Sequence, residues 1–332
     1  MTKKEDGYTY LYGPVPSRRL GRSLGIDMVP YKVCSYDCIY CQLGRTTDLT
    51  LRRRRYVPAE KIVEELKRKL AAGARPDYIS LAGSGEPTLN SDLGVLIREI
   101  KQLTDIPVAV LTNGSLLWMP DVQDELMQAD LVVPSLDAGS SALFRYVNRP
   151  QKELSFEQMV DGLVTFAQRF EGEIHLEVLL LAGVTGIESE VMKIAELSGR
   201  IGATRVQLNS VDRPPVENFA FPVAKAQLEK FAKLFPGNCE IISDPLPQVV
   251  QPLGLSPVRE AEVLALLSRR PCTSQDVAAG LGIHNMEALK LLSDLYKVGK
   301  LTTSMRDDHL FYSAVEHEQQ YEVLSGQSAC RV

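Results

Sequence analysis

Cys34-Ser35-Tyr36-Asp37-Cys38-Ile39-Tyr40-Cys41 is the stretch on which the fold turns. Its cysteines stand in the spacing C-x3-C-x2-C, just after an apolar, β-leaning run at residues 23–28. A ligand loop directly after a strand is where a parallel α/β architecture places its active rim. Three thiolates on one short loop can hold three irons of a cubane and leave the fourth iron without a protein ligand. A zinc knuckle is the competing reading, but zinc favours four ligands in paired C-x2-C units, and the sequence offers no second pair. Cys239, Cys272 and Cys330 have no ligand spacing to one another. Cys239 and Cys272 read as buried, inert thiols and Cys330 as a free thiol of the tail.

Working outward, further strand-like runs lie at residues 78–82, 108–112, 131–135, 174–180 and 206–209. Between them, helical patterns occupy 58–71, 92–103, 120–128, 155–170 and 187–201, and Ile62, Val63, Leu66 and Leu70 make one apolar face of the first. Strands alternating with helices predict a parallel sheet. The expected fold class is α/β: a partial (β/α)6 TIM-like barrel over residues 1–243 with a C-terminal winged-helix domain. Pro245, Pro247, Pro252 and Pro257 mark a linker at 244–257. Beyond it come helices at 258–268, 273–281 (capped by Thr273 or Ser274) and 285–298, with Leu289, Leu292 and Leu295 facing inward. Strands at 300–304 and 310–314, separated by Asp307-Asp308, complete a winged-helix pattern over 258–316, and 317–332 reads as a tail.

The chain of 332 residues carries 37 Lys and Arg against 42 Asp and Glu, a net charge of −5, so it has no general attraction to nucleic acid. No run of about 18 apolar residues predicts a membrane span. The polar start of the chain lacks the layout of a secretory signal, so the expected location is cytoplasmic. Arg18, Arg19 and Arg22 precede the first predicted strand, and Arg52 to Arg55 form a basic run. Either group suits an anionic substrate or a redox partner, with a solvated loop as the preferred reading of Arg52 to Arg55. Arg213 follows the last predicted strand in a segment ending Pro214-Pro215, near the expected active face. The third C-terminal helix carries Glu287 and Asp294 beside Lys290 and Lys297, so it has no strongly basic face. Such folds bind proteins, peptides or a second domain as well as nucleic acid.

A second motif, Gly83-Ser84-Gly85-Glu86-Pro87, ends the strand at 78–82 in small residues, which lets a ligand approach the backbone. Thr112-Asn113-Gly114, Ser135, Asp137 and Asn209 close later strands on the same rim, and Glu177 lies within a strand that can point it inward. Each of these residues also suits a turn or a structural ion pair.

The C-x3-C-x-aromatic-C motif resembles the radical S-adenosylmethionine (SAM) superfamily. The string YGPVPSRRLGRSLGIDMVPYKVCSYDCIYCQLG from Tyr12 to Gly44 resembles a branch related to the wyosine-forming tRNA enzymes. The likeness continues through Gly83 to Thr88, Ser135-Leu136-Asp137-Ala138 and Val206 to Pro215, and so covers roughly residues 11–216. It implies a [4Fe–4S] cluster on Cys34, Cys38 and Cys41, with SAM on the open iron. It also implies SAM contacts from Gly83, Ser84, Gly85 and Glu86 at the strand edge, and Tyr40 packed against adenine. Ser135 and Asp137 become candidates for the SAM ribose or the substrate, and Thr112, Asn113, Glu177 and Asn209 for the cofactor. Arg18, Arg19 and Arg213 become candidates for the substrate, and flavodoxin or ferredoxin for the electron donor. Wyosine synthesis itself is not carried over. It is expected to need further cysteines for a second cluster and a Schiff-base lysine; no cysteine precedes Cys34, and no predicted strand end offers an obvious lysine. The reading is a radical SAM enzyme for an unassigned small molecule or peptide. The alternatives are RNA base modification and a cluster-bearing DNA-binding regulator, the latter having no need of the Gly83–Glu86 edge.

Overall fold

The computed structural model describes residues 8–242, 260–306 and 309–315. The expected linker at 244–257 and tail at 317–332, with Cys330 and Asp307-Asp308, lie outside the described residues.

The elements run β1 Leu11–Ser17, β2 Gly21–Asp27, β3 Val33–Cys34, β4 Asp48–Leu49, α1 Ala59–Ala71, β5 Tyr78–Ala82, α2 Leu93–Leu103 and β6 Val108–Thr112. Then come α3 Pro120–Leu126, β7 Leu131–Pro134, α4 Ser141–Val147, α5 Phe156–Arg169, β8 Glu173–Leu180, α6 Glu188–Ile201, β9 Arg205–Ser210, α7 Lys225–Ala232 and β10 Cys239–Ile241. The chain continues with α8 Glu260–Leu267, α9 Ser274–Leu281, α10 Asn285–Lys297, β11 Leu301–Arg306 and β12 His309–Ala314.

All six expected strands form, side by side and parallel, in an eight-stranded sheet of order β1-β2-β5-β6-β7-β8-β9-β10. Two of its strands were not expected: β10, parallel to β9, and β1, antiparallel to β2. Leu24, Ile26, Leu81, Val110, Val132, Val178 and Leu208 are buried in the same core as the apolar faces of the helices. That core is why the strands read as apolar runs rather than as alternation. The alternate residues face the other way. Leu20, Ala109, Leu131 and Val133 fill one end of that interior, and Ser80, Glu177 and Asn209 line a cavity at the other. Arg18, just past β1, donates to the carbonyl of Ile242, just past β10, at 2.8 Å, so the two edges of the sheet come within one side chain of each other.

After the undescribed stretch, α8, α9 and α10 bury Val263, Leu266, Val277, Leu292 and Leu295 in a core of their own, and β11 and β12 pair as a hairpin. Thr273 caps α9 in a reciprocal box with Asp276, and Gly282 ends it in a left-handed turn. Leu292 and Leu295 face inward as expected; Leu289 is only half-buried.

This unit docks on the sheet by specific contacts. Val15 of β1 packs against its core. Arg213 Nε donates to the Pro271 carbonyl at 3.1 Å, and Arg306 donates to the carbonyls of Arg213 and Ala220. Arg269 pairs with Asp27 at the end of β2 and lies 3.9 Å over the ring of Tyr12. Both partners of that ion pair are largely buried, at 11% and 6% side-chain exposure. Removing one member of such a pair costs about 3–5 kcal/mol. Arg269→Ala is therefore expected to lose about 3 kcal/mol of stability in urea unfolding, and an unchanged midpoint would mean that the contact does not hold the unit.

Candidate functional site

The cysteine loop is built by backbone hydrogen bonds to three neighbours. Glu86 N–H donates to the Val33 carbonyl at 3.1 Å and Lys32 N–H to the Ser84 carbonyl at 2.7 Å, tying the loop to the end of β5. Ile39 N–H donates to Val147 at the end of α4, and Val216 N–H donates to Cys41. Gly85 permits the first contact, because a Cβ there would lie 2.0 Å from the Val33 carbonyl oxygen. Gly83 takes φ +97° and leaves room for Asp27, whose Oδ1 accepts from Ser84 N–H at 3.1 Å.

Each cysteine sulfur in the loop has a nitrogen donor. Lys32 Nζ stands 3.0 Å from Cys41 Sγ, Asn113 Nδ2 3.6 Å from Cys34 Sγ, and Asn148 Nδ2 3.6 Å from Cys38 Sγ. Burial pushes the Cys34 thiol up to about 12 and raises Cys38 well above its ordinary range. A bound cation is needed to hold these groups as thiolates. Burial works to lower the Lys32 pKa, yet Cys41, Cys34 and Cys38 together outweigh it, and the net shift is upward. Among the described residues no group of three or more His, Cys, Asp or Glu is placed around a single metal ion. A cubane asks for something else, one sulfur at each of three iron corners. Three cysteines with three donors on their sulfurs fit that group.

The other expected residues fall into two sets. One surrounds the loop. Glu86 is buried, Oε1 accepting from the Thr88 and Thr112 hydroxyls at 2.6 Å and Oε2 from Asn113 N–H at 2.8 Å. It does not line the cavity; it fixes the Asn113 that reaches Cys34. Asp137 accepts from the Tyr40 hydroxyl, from Asn148 Nδ2 at 2.7 Å and from Leu179 N–H at 3.0 Å. Burial raises its carboxyl to about 6 against the lowering effect of the Tyr40 and Asn148 hydrogen bonds. Ser135 bridges to Glu177 across β7 and β8.

The second set lines a cavity of about 430 Å³ that has Tyr40, Cys41 and Gly83 in its wall. Glu177 accepts from Asn209 Nδ2 at 3.0 Å and pairs with Arg19. Arg18 pairs with Asp212. Arg213 lines the cavity while its guanidinium is used against Pro271. The Arg52 to Arg55 run is largely exposed, as expected of a solvated loop, with Arg53 the exception. Arg53 donates to the carbonyls of Thr88 and Asn90 and pairs with Glu125, and the exposed Arg55 pairs with Asp92 and Glu60. Lys32, Asn148, Asp27, Arg269 and Arg270 were missed. Only Lys32, two residues before Cys34, stood close enough in sequence to be found.

The model of the radical SAM superfamily matches residues 28–197, just over half of the chain. UPF0026 protein MJ1312 of Methanocaldococcus jannaschii is 32% identical over 314 residues, covering 92% of this chain and 95% of that protein. A protein of Brachyspira hyodysenteriae named GTPase Obg is 40% identical over 305 residues and covers 91% of this chain, which spans only 45% of that relative's length. Among solved structures, a radical SAM methyltransferase from Sphaerobacter thermophilus superposes with a TM-score of 0.52 at 16% identity. That match covers 66% of this chain and 65% of the methyltransferase and speaks to the fold alone. The chain belongs to the radical SAM superfamily, whose members are enzymes that use a [4Fe–4S] cluster and SAM.

Proposed function

We propose that this enzyme acts on a small molecule held in the cavity beside Cys41. The observation that carries the reading is the cavity itself, lined by the cluster-loop residues Tyr40 and Cys41 together with the strand residues Glu177 and Asn209. We read the curled sheet as a partial (β/α)6 TIM-like barrel over residues 1–243. The closing units then form a winged-helix domain over 258–316, and we place the chain in a branch related to the wyosine-forming enzymes. Parallel strand order, the Arg18 bridge between sheet edges and the order of three helices and a hairpin support the architecture.

When bound, the cluster and SAM supply a 5′-deoxyadenosyl radical for hydrogen abstraction, fed by an electron donor of the flavodoxin or ferredoxin type. The residues of the chain hold and tune that group. Cys34, Cys38 and Cys41 are its ligands. Lys32, Asn113 and Asn148 place positive charge and N–H dipoles on the sulfurs, which favours the more negative, reduced state. The small residues Gly83, Ser84 and Gly85 end β5 and let a ligand reach the backbone. Asp137 fixes the Tyr40 ring at the cavity wall through its hydroxyl. Glu177 and Asn209, held by Arg19, present polar groups to the bound molecule.

Two measurements test this reading. Anaerobic protein reconstituted with iron and sulfide, then given dithionite and SAM, is expected to form 5′-deoxyadenosine, and Cys38→Ala to form none. Product that persists in the variant would overturn the assignment of the loop. Lys32→Met is expected to load its cluster but to lower the midpoint potential by about 60 mV or more, a tenfold change for one electron. A potential equal to that of the parent protein would remove Lys32 from the account.

A further inference from the structure

The cavity wall carries more positive charge than the chain neutralises. Five guanidiniums line it, those of Arg18, Arg19, Arg213, Arg269 and Arg270, against the carboxylates of Glu177 and Asp212. Four of the five have a carboxylate partner. Arg18 pairs with Asp212, Arg19 with Glu177 and Arg269 with Asp27. Arg213 holds the Pro271 carbonyl and lies 3.7 and 3.8 Å from Asp212 and Asp276. Arg270 stands in the turn between α8 and α9. Among the described residues it has no carboxylate ion-pair partner; its side chain bonds the Cys272 thiol, and it is not fully exposed. It also bears on its neighbour: the Arg213 pKa is lowered, first by burial and then by the charge of Arg270. Two guanidiniums in the lining of one cavity form a site that an oxyanion would relieve, since a planar guanidinium binds carboxylate or phosphate through paired hydrogen bonds.

We propose that Arg270 is the anion receptor of the substrate cavity and that the substrate is a small molecule bearing a carboxylate or phosphate group. The C-terminal unit then serves the reaction by completing the cavity wall, with Arg269 docked on Asp27 to hold the adjoining turn in place. This inference rests on the small-molecule reading of the same cavity and adds the class of its ligand.

The test is binding by the intact, cluster-loaded protein with SAM present, under anaerobic calorimetry, using inorganic pyrophosphate and succinate as probes of the two anion classes. At least one probe is expected to bind. Arg270→Gln should weaken it tenfold or more, Arg270→Lys should weaken it less, and the exposed-surface control Arg52→Gln should leave it unchanged. Tighter binding of pyrophosphate assigns a phosphate, and tighter binding of succinate a carboxylate. A second readout needs no variant. Phenylglyoxal is expected to label Arg270 ahead of Arg269 by peptide mass spectrometry, and the bound probe to suppress that labelling. Failure of both probes to bind, equal binding by Arg270→Gln, or labelling indifferent to the probe would each overturn the proposal. Loss of SAM affinity in Arg270→Gln with probe binding intact would overturn it too, by moving Arg270 to the SAM subsite. Anion binding through Arg270 in a protein that forms no 5′-deoxyadenosine would instead sink the radical reading and leave this one standing.

Discussion

Two backbone hydrogen bonds hold the cysteine loop on the sheet, Lys32 N–H to the Ser84 carbonyl and Glu86 N–H to the Val33 carbonyl, and the second depends on residue 85 having no side chain. With the loop seated there, Asn113 at the end of β6 comes within reach of Cys34, because Glu86 accepts from the Asn113 backbone. Asn148, after α4, reaches Cys38 by the same logic, as Asp137 holds its amide. The sulfurs are thus positioned by elements spread from β2 to α4 and not by the loop alone. A loop of three cysteines without that seat would be a floppy chelator, whose ordering entropy would have to be met by the metal.

The same end of the sheet carries the C-terminal unit. Asp27 serves both sides, accepting from Ser84 beside the cluster loop and pairing with Arg269 from the turn after α8. One carboxylate therefore joins the Gly83–Glu86 turn to the wall of the cavity. Its burial makes the arrangement costly to disturb, since a charge removed from water needs both partners in place. No helix among the described residues is long and apolar enough to cross a membrane.

Much of this was legible in the sequence, for physical reasons that can be named. The strands β5 and β6 are bounded as expected because an apolar run ends abruptly in Gly83 and in Asn113-Gly114. The strand β1 was not expected; it contains Pro14 and Pro16, which an edge strand tolerates where a central one does not. The helix α7 is short and buries only Leu228 and Phe231, too few for a helical period to stand out. At the site, the cysteine spacing and the small-residue strand end were visible as local patterns. Asn113 was visible as a strand-end residue of the same rim but not as a donor to a sulfur, and Asn148 was not visible at all, because they lie 79 and 110 residues from the cysteines they reach. Glu86 shows the limit of motif reading. The residue was singled out as a ligand contact, and the fold encloses its carboxylate among Thr88, Thr112 and Asn113.

The central claim is that three cysteines hold a cubane with one iron left for SAM. Electron paramagnetic resonance of the dithionite-reduced, reconstituted protein, recorded with and without SAM, tests it most directly. The account predicts a [4Fe–4S] signal whose g-values change when SAM is added. A fully loaded, reduced cluster whose spectrum is the same with and without SAM would contradict it.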